Sequence, residues 1–228
     1  MASESIPIRT DIRSPNFSPT VIEVLFVVLH YTAGDLDRAI EVFRDPKRKV
    51  SCHLLIAEDG EVFELVPCLT GSPLKAAHAG VSRWQANGRE WTNFNDISIG
   101  VELVNPNGNL LDYSDFQYRS LAVLMKDLKQ CFPALRDPNR VLGHEHIAGR
   151  RGKADPGHCF QWPRFFDECY KGSQVPTRTP VCPEALRTAL HKFLAVRPHD
   201  RDERVKFWHA LSAVTEASIA LLHEQDQV

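Results

Sequence analysis

Two histidines and an aspartate in this sequence, His30, His144 and Asp155, are of the types that hold zinc. Neutral imidazole nitrogen and carboxylate oxygen both suit that ion, and a catalytic zinc site uses three protein ligands and keeps a fourth position open. Water in that position has its pKa lowered from the bulk value to about 7. Glu102 would then take a proton from the water and deliver it to a leaving amine. Lys153, just ahead of Asp155, would stabilise the oxyanion of a tetrahedral intermediate. These are the parts of a metal-assisted amide hydrolase.

The stretch from Val141 to Trp162, VLGHEHIAGRRGKADPGHCFQW, concentrates the candidates. Its apolar lead-in ends at Gly143, which reads as a short strand running into a loop, with His144 at the strand end. Pro156 biases Asp155 towards extended backbone, and Gly157 lets the chain turn away. His146, two residues further on, is not expected to reach the metal that His144 holds. Cys159, close after Asp155, is the one cysteine sited to act as a soft ligand. Cys52, Cys68, Cys131, Cys169 and Cys182 form no CxxC pair and read as free thiols.

The elements that must position these groups follow from the apolar pattern. Val21 to Tyr31, VIEVLFVVLHY, is β-branched and continuously apolar, as a central strand buried on both faces should be, and it delivers His30 at its end. Asp35 to Phe43 has helical spacing of Leu36, Ala39, Ile40 and Phe43. SCHLLIAEDGEVFELV is a hairpin about Asp59-Gly60 that His53 opens. The following GSPLKAAHAGVSRWQANG, with His78 and Trp84, reads as a long binding loop. Within it Ser72 and Lys75 fit S-x-x-K, the pattern of penicillin-sensitive carboxypeptidases, though two fixed residues are weak support. Residues 97–104, ISIGVELV, form a strand interrupted by Glu102; a carboxylate there is costly unless paired, protonated, facing a polar site or pointing outward from an edge.

Ser114 to Phe132 is the longest amphipathic helix of this part, closed by Pro133, and a short helix begins near Pro163. Strands alternating with helices give an α/β domain over residues 1–172, a linker over 173–181, and a helical extension over 182–228. The extension, with helices at Pro183 to Val196 and Asp202 to His223, is expected to pack on the main domain and to carry no chemistry.

The 228 residues are 43% hydrophobic and 25% charged, as in soluble globular chains. A net charge of -2 gives no electrostatic case for nucleic acid, and Lys47-Arg48-Lys49 reads as a solvated loop. No apolar run approaches the roughly 20 residues that cross a bilayer. The opening MASESIPIRTDIRSPNF lacks a secretory signal's charged start and apolar core, which reads as cytoplasmic, or periplasmic had a leader been removed. The oligomeric state stays open.

VVLHYTAG, SCHLLIAEDGEVFELV, AAHAGVSRW, NDISIGVELVN and GHEHIAGRRGKADPG, with F-x-W after it, occur in this order over about residues 13–166. In these motifs the sequence resembles the zinc-dependent N-acetylmuramoyl-L-alanine amidases of the AmpD and AmiD types, related to phage lysozyme-type amidases and peptidoglycan recognition proteins. The resemblance implies a central mixed β-sheet flanked by helices, with zinc in a groove that binds peptidoglycan or muropeptides. It implies His30, His144 and Asp155 as ligands, Glu102 as acid/base and Lys153 as the oxyanion-stabilising lysine. His53 and His78 match histidines near the groove, where they would contact substrate. The GRRG segment carries one residue more than the family usually has there. The implied reaction is hydrolysis of the bond between N-acetylmuramic acid and L-alanine. The alternative is a catalytically silent recognition module on the same fold, which would be expected to lose part of the zinc set, Glu102 or Lys153. Whether the substrate is intact sacculus, muropeptide or anhydro-muropeptide is left open.

Overall fold

The β-branched run ending at His30 becomes the strand on which the site is built, in a computed structural model that describes residues 6–225. In chain order the strands are β1 (Ile8–Arg9), β2 (Phe17–Val21), β3 (Phe26–Tyr31), β4 (Leu54–Ile56), β5 (Val62–Glu64), β6 (Leu74–Ala76), β7 (Arg83–Ala86), β8 (Arg89–Thr92), β9 (Ser98–Leu103) and β10 (Val141–Gly143). The helices are α1 (Leu36–Arg44), α2 (Asp115–Cys131), α3 (His144–Ala148), α4 (Trp162–Cys169), α5 (Glu184–His191) and α6 (Arg201–Gln225). Six strands make a mixed sheet in the order β1-β5-β4-β9-β3-β10. Every neighbouring pair is parallel except the β4–β5 hairpin. The fold is therefore the α/β arrangement expected, with helices flanking a central mixed sheet.

All six residues of β3 are buried, as are all six of β9, because each strand has a neighbour on both edges and helices over its faces. The expected strand from Val21 divides in two. Exposed Glu23 lies between buried Ile22 and Val24, and the chain crosses from β2, which pairs with β6, to β3 in the main sheet. The long loop after Pro67 is also more ordered than the sequence suggested. It contains β6 and the β7–β8 hairpin, whose Asn87-Gly88 corner has positive φ at both residues (52° and 72°), as a two-residue type I′ turn requires.

Helix α2 starts at a capping box: Ser114 Oγ accepts from Gln117 N at 3.1 Å, and Gln117 Oε1 accepts from Ser114 N at 3.0 Å. Leu121, Leu124 and Leu128 then bury one face against the sheet core. Emptying such a site, as in Leu121→Ala, costs about 2–5 kcal/mol. Helices α5 and α6 are held by Leu190, Trp208 and Leu211 against Leu110, and by Ile219 against Ala154 and Cys182. No described helix is long and apolar enough to cross a membrane.

Candidate active site

Parallel strands leave their carboxyl ends together at one edge, and in open α/β sheets that edge is where sites form. His30 and Glu102 face each other near the ends of β3 and β9, and Gly143, paired with Leu29, hands over to His144. His144 is not in a loop but is the first residue of α3. His146 does point away from His144's partner, because both residues lie in α3 and not on a strand, where positions 144 and 146 would share a face. It sits on the first turn of α3, accepts from Gly143 N at 2.8 Å through Nδ1, and bonds Thr179 O through Nε2 at 3.2 Å.

Asp155 is delivered by a loop anchored on both sides. Its carbonyl accepts from Glu145 N at 2.9 Å, Asn109 Nδ2 donates to the neighbouring Ala154 carbonyl at 3.2 Å, and Tyr113 donates to Pro156 O at 2.7 Å. The buried asparagines of the NPNGN loop are thus part of the site's support, and their burial could not be read from a polar sequence. Cys159 stays outside the cluster, with Asp112 and Arg187 as neighbours.

The resulting group is His30, His144 and Asp155, all buried, with ligand atoms within 4.8 Å of one another. Asp155 Oδ2 lies 2.8 Å from His30 Nδ1 and 3.1 Å from His144 Nδ1. The far side of each ring fixes its tautomer. Ser98 donates to Phe94 O at 2.5 Å, so its oxygen accepts from His78 Nε2 at 3.3 Å. His78 Nδ1 is then bare and accepts from His30 Nε2 at 3.1 Å, which leaves His30 Nδ1 unprotonated. His144 Nε2 likewise donates to Ala79 O at 3.2 Å, leaving its Nδ1 a lone pair. In these tautomers two imidazole Nδ1 lone pairs and a carboxylate oxygen converge, a donor set that suits a cation.

Burial holds His30 down at about 4, so the imidazole is neutral. Burial pushes the Asp155 carboxyl up, but pairing with His144 and His30 outweighs it and keeps the group ionised. Neutral imidazoles and a carboxylate are the forms that bind metal. Glu102 stands apart from the triad: burial, then the charge of Asp155, raises its pKa well above the carboxylate range, against an opposing pull from Lys153. Its Oε2 is buried without a hydrogen-bond partner. An outward-pointing edge residue is excluded, because β9 lies between β4 and β3.

The ring nitrogens of His53 and His78, the two histidines expected to contact substrate, are engaged within the protein. His53 is fully buried, with Nδ1 accepting from Gly100 N at 2.9 Å and Nε2 donating to Leu74 O at 2.8 Å, so neither nitrogen is free. His78 uses both nitrogens to connect His30 to Ser98. Its ring lies on Gly100, where a Cβ would come within 2.5 Å of it, so a glycine inside the apolar strand was the one sequence signal for this packing. Ser72 is exposed and Lys75 pairs with Asp96 at 2.5 Å, which leaves the serine without the base that S-x-x-K chemistry needs.

Lys153 follows a short 3₁₀ turn over Gly149–Arg151 and Gly152. Its Nζ donates to Glu216 Oε1 and Oε2 at 2.8 and 2.9 Å. The helical extension, expected to carry no chemistry, thus places a carboxylate against Lys153.

Residues 20–158 match the N-acetylmuramoyl-L-alanine amidase family. A 117-residue segment, 51% of this chain, is 44% identical to the 1,6-anhydro-N-acetylmuramyl-L-alanine amidase AmpD of Salmonella typhimurium, and spans about half (56%) of that protein's length. The fold is similar to a crystal structure of an AmpD selenomethionine derivative, with a TM-score of 0.56 and 31% identity, covering 74% of this chain and 95% of that one. It is also similar to Escherichia coli AmiD in complex with anhydro-N-acetylmuramic acid-L-Ala-D-γ-Glu-L-Lys, with a TM-score of 0.55 and 27% identity, covering 83% and 67%.

Proposed function

The chain belongs to the N-acetylmuramoyl-L-alanine amidase family, and from that premise we propose that it hydrolyses the amide between N-acetylmuramic acid and L-alanine in muropeptides, with zinc held by His30, His144 and Asp155. The observation that carries the reading is the convergence of two bare Nδ1 atoms on the Asp155 carboxylate, with buried Glu102 opposite His30 on the next strand. When bound, zinc supplies Lewis-acid polarisation and acidifies a water.

The chain's own residues do the rest. Glu102 accepts a proton from the attacking water and returns it to the alanine nitrogen as the C–N bond breaks, leaving a muramoyl carboxylate and a free peptide amine. A raised pKa suits a group that must both take and release a proton near neutrality. Lys153 donates an N–H to the oxygen that gains charge in the tetrahedral state. The ligand of the AmiD complex, an anhydro-muramyl tripeptide, supports a released muropeptide rather than intact sacculus as substrate.

The test is incubation of the zinc-loaded chain with a defined anhydro-muropeptide, following release of a peptide with a free alanine amine against a chelated control. Release that chelation stops supports the proposal. Tight binding with no release would make the chain a recognition module instead.

A further inference from the structure

We propose that Glu216 of α6 is a positioning residue for Lys153, so that the C-terminal helix completes the oxyanion-stabilising side of the site; this rests on the amidase reading above. Stabilising a developing oxyanion needs a donor already held where charge will appear. Lysine is poorly suited to that unaided, since its ammonium ends a flexible four-carbon stem. The backbone at Lys153 is held, by Gly152 N donating to Gly149 O at 2.7 Å and Lys153 N donating to Ala148 O at 3.4 Å, but that fixes the Cα and not the end of the side chain. What fixes the ammonium is Glu216, with both oxygens within 2.9 Å of Nζ. An ammonium has three N–H donors, so two acceptors on one carboxylate leave a donor for the oxyanion.

Helix α6 is seated on both sides of Lys153. Before it, a Cβ on Gly152 would lie 2.0 Å from the Glu216 carbonyl, so the two backbones touch as only glycine permits. After it, Ala154 packs with Ile219 and Cys182 in a buried apolar cluster. Thr215, next to Glu216, is completely buried. The carboxylate is therefore presented by a packed bracket around the lysine rather than by a displaceable arm. It lies beyond residues 20–158, so this support is additional to the segment that matches the family.

The experiment compares zinc-loaded full-length wild type, Glu216→Ala, Glu216→Gln, Glu216→Asp, Lys153→Ala and the Glu216→Ala/Lys153→Ala double variant, with zinc content and melting temperature measured for each. Glu216→Ala is expected to lower kcat by about 10–100-fold, the scale of losing a group's alignment, with KM changed less than about twofold and zinc retained. Glu216→Asp should recover part of kcat, and the double variant should be no worse than Lys153→Ala alone. Glu216→Gln keeps the shape without the charge and should fall with Glu216→Ala; it carries the test if the alanine variant melts early. An unchanged kcat in Glu216→Ala, or losses that multiply in the double variant, would overturn the inference. So would a rise in kcat, which would make the contact inhibitory. Wild type that cleaves while Glu216→Ala is unaffected sinks this inference alone; wild type that cleaves nothing sinks it with the amidase reading.

Discussion

Glu102 lies directly opposite His30 in the parallel pairing of β9 with β3, so a buried carboxyl and a candidate metal-binding imidazole leave one end of the sheet side by side. The relationship makes the two functions separable. Among the described residues Glu102 makes no hydrogen bond to His30, His144 or Asp155, and its Oε2 has no hydrogen-bond partner. Glu102→Gln should therefore keep zinc and fold while losing the proton transfer. A general acid–base group is worth about 10²–10⁴-fold in rate, and a loss near the upper end is expected because one carboxyl serves both steps. Steady-state kinetics beside metal analysis checks this; near wild-type turnover would rule Glu102 out.

The two histidines of HEH should behave oppositely. His144→Ala removes a lone pair aimed at Asp155 and should abolish stoichiometric zinc. His146→Ala should keep zinc but leave Gly143 N without its acceptor and Thr179 O without its donor, at a cost of about 1–3 kcal/mol. Elemental analysis and thermal melts of both variants distinguish the outcomes. Zinc lost from His146→Ala and kept by His144→Ala would reverse the assignment.

Gly100 should matter to metal affinity without touching metal. A methyl there would meet the His78 ring at 2.5 Å, displacing the group that accepts from His30 Nε2. Such outer-shell losses typically cost about 10–100-fold in metal affinity, so Gly100→Ala should weaken zinc by that order in competition with a chromophoric chelator. Unchanged affinity would mean that His78 does not hold the His30 tautomer.

Glu145 gives a pH signature in stability. Burial is the main cause lifting its carboxyl from 4.5 to about 8, and Oε1 has no hydrogen-bond partner while Oε2 accepts from Val181 N at 2.8 Å. A carboxyl with its folded pKa above its unfolded one stabilises most below pH 4.5 and loses that contribution as pH rises through about 8. Glu145→Gln, neutral at every pH, should therefore gain melting temperature relative to wild type steadily from pH 5 to 8. A constant difference across that range would contradict the assignment.

Much of this site was legible in sequence because its parts stand at the ends of strongly apolar strands. The run before His30 and the intrusion of Glu102 into ISIGVELV both point to buried strand positions, and both residues lie where that pattern puts them. What the sequence does not show falls where neighbours decide. His53 and His78 look like groove histidines by type, but the full burial of His53 and the packing of the His78 ring on Gly100 are encoded in no local pattern. Asn87-Gly88 was a visible turn signal inside a segment read as loop, and Glu23 marked the break in the first strand. Glu216 left no trace, since a carboxylate on a charged helix is ordinarily a solvated one; only the packing of α6 brings it to Lys153.

The most direct test is the site of bond cleavage itself. Zinc-loaded chain is incubated with an anhydro-muramyl peptide in ¹⁸O-water, and the products are read by mass spectrometry. The account predicts an unlabelled peptide beginning with L-alanine and a muramoyl lactate carrying one ¹⁸O in its carboxylate, with both absent for Glu102→Gln on the same timescale. Label in the peptide's own carboxylates, cleavage at another bond, or intact substrate recovered from wild type would contradict it.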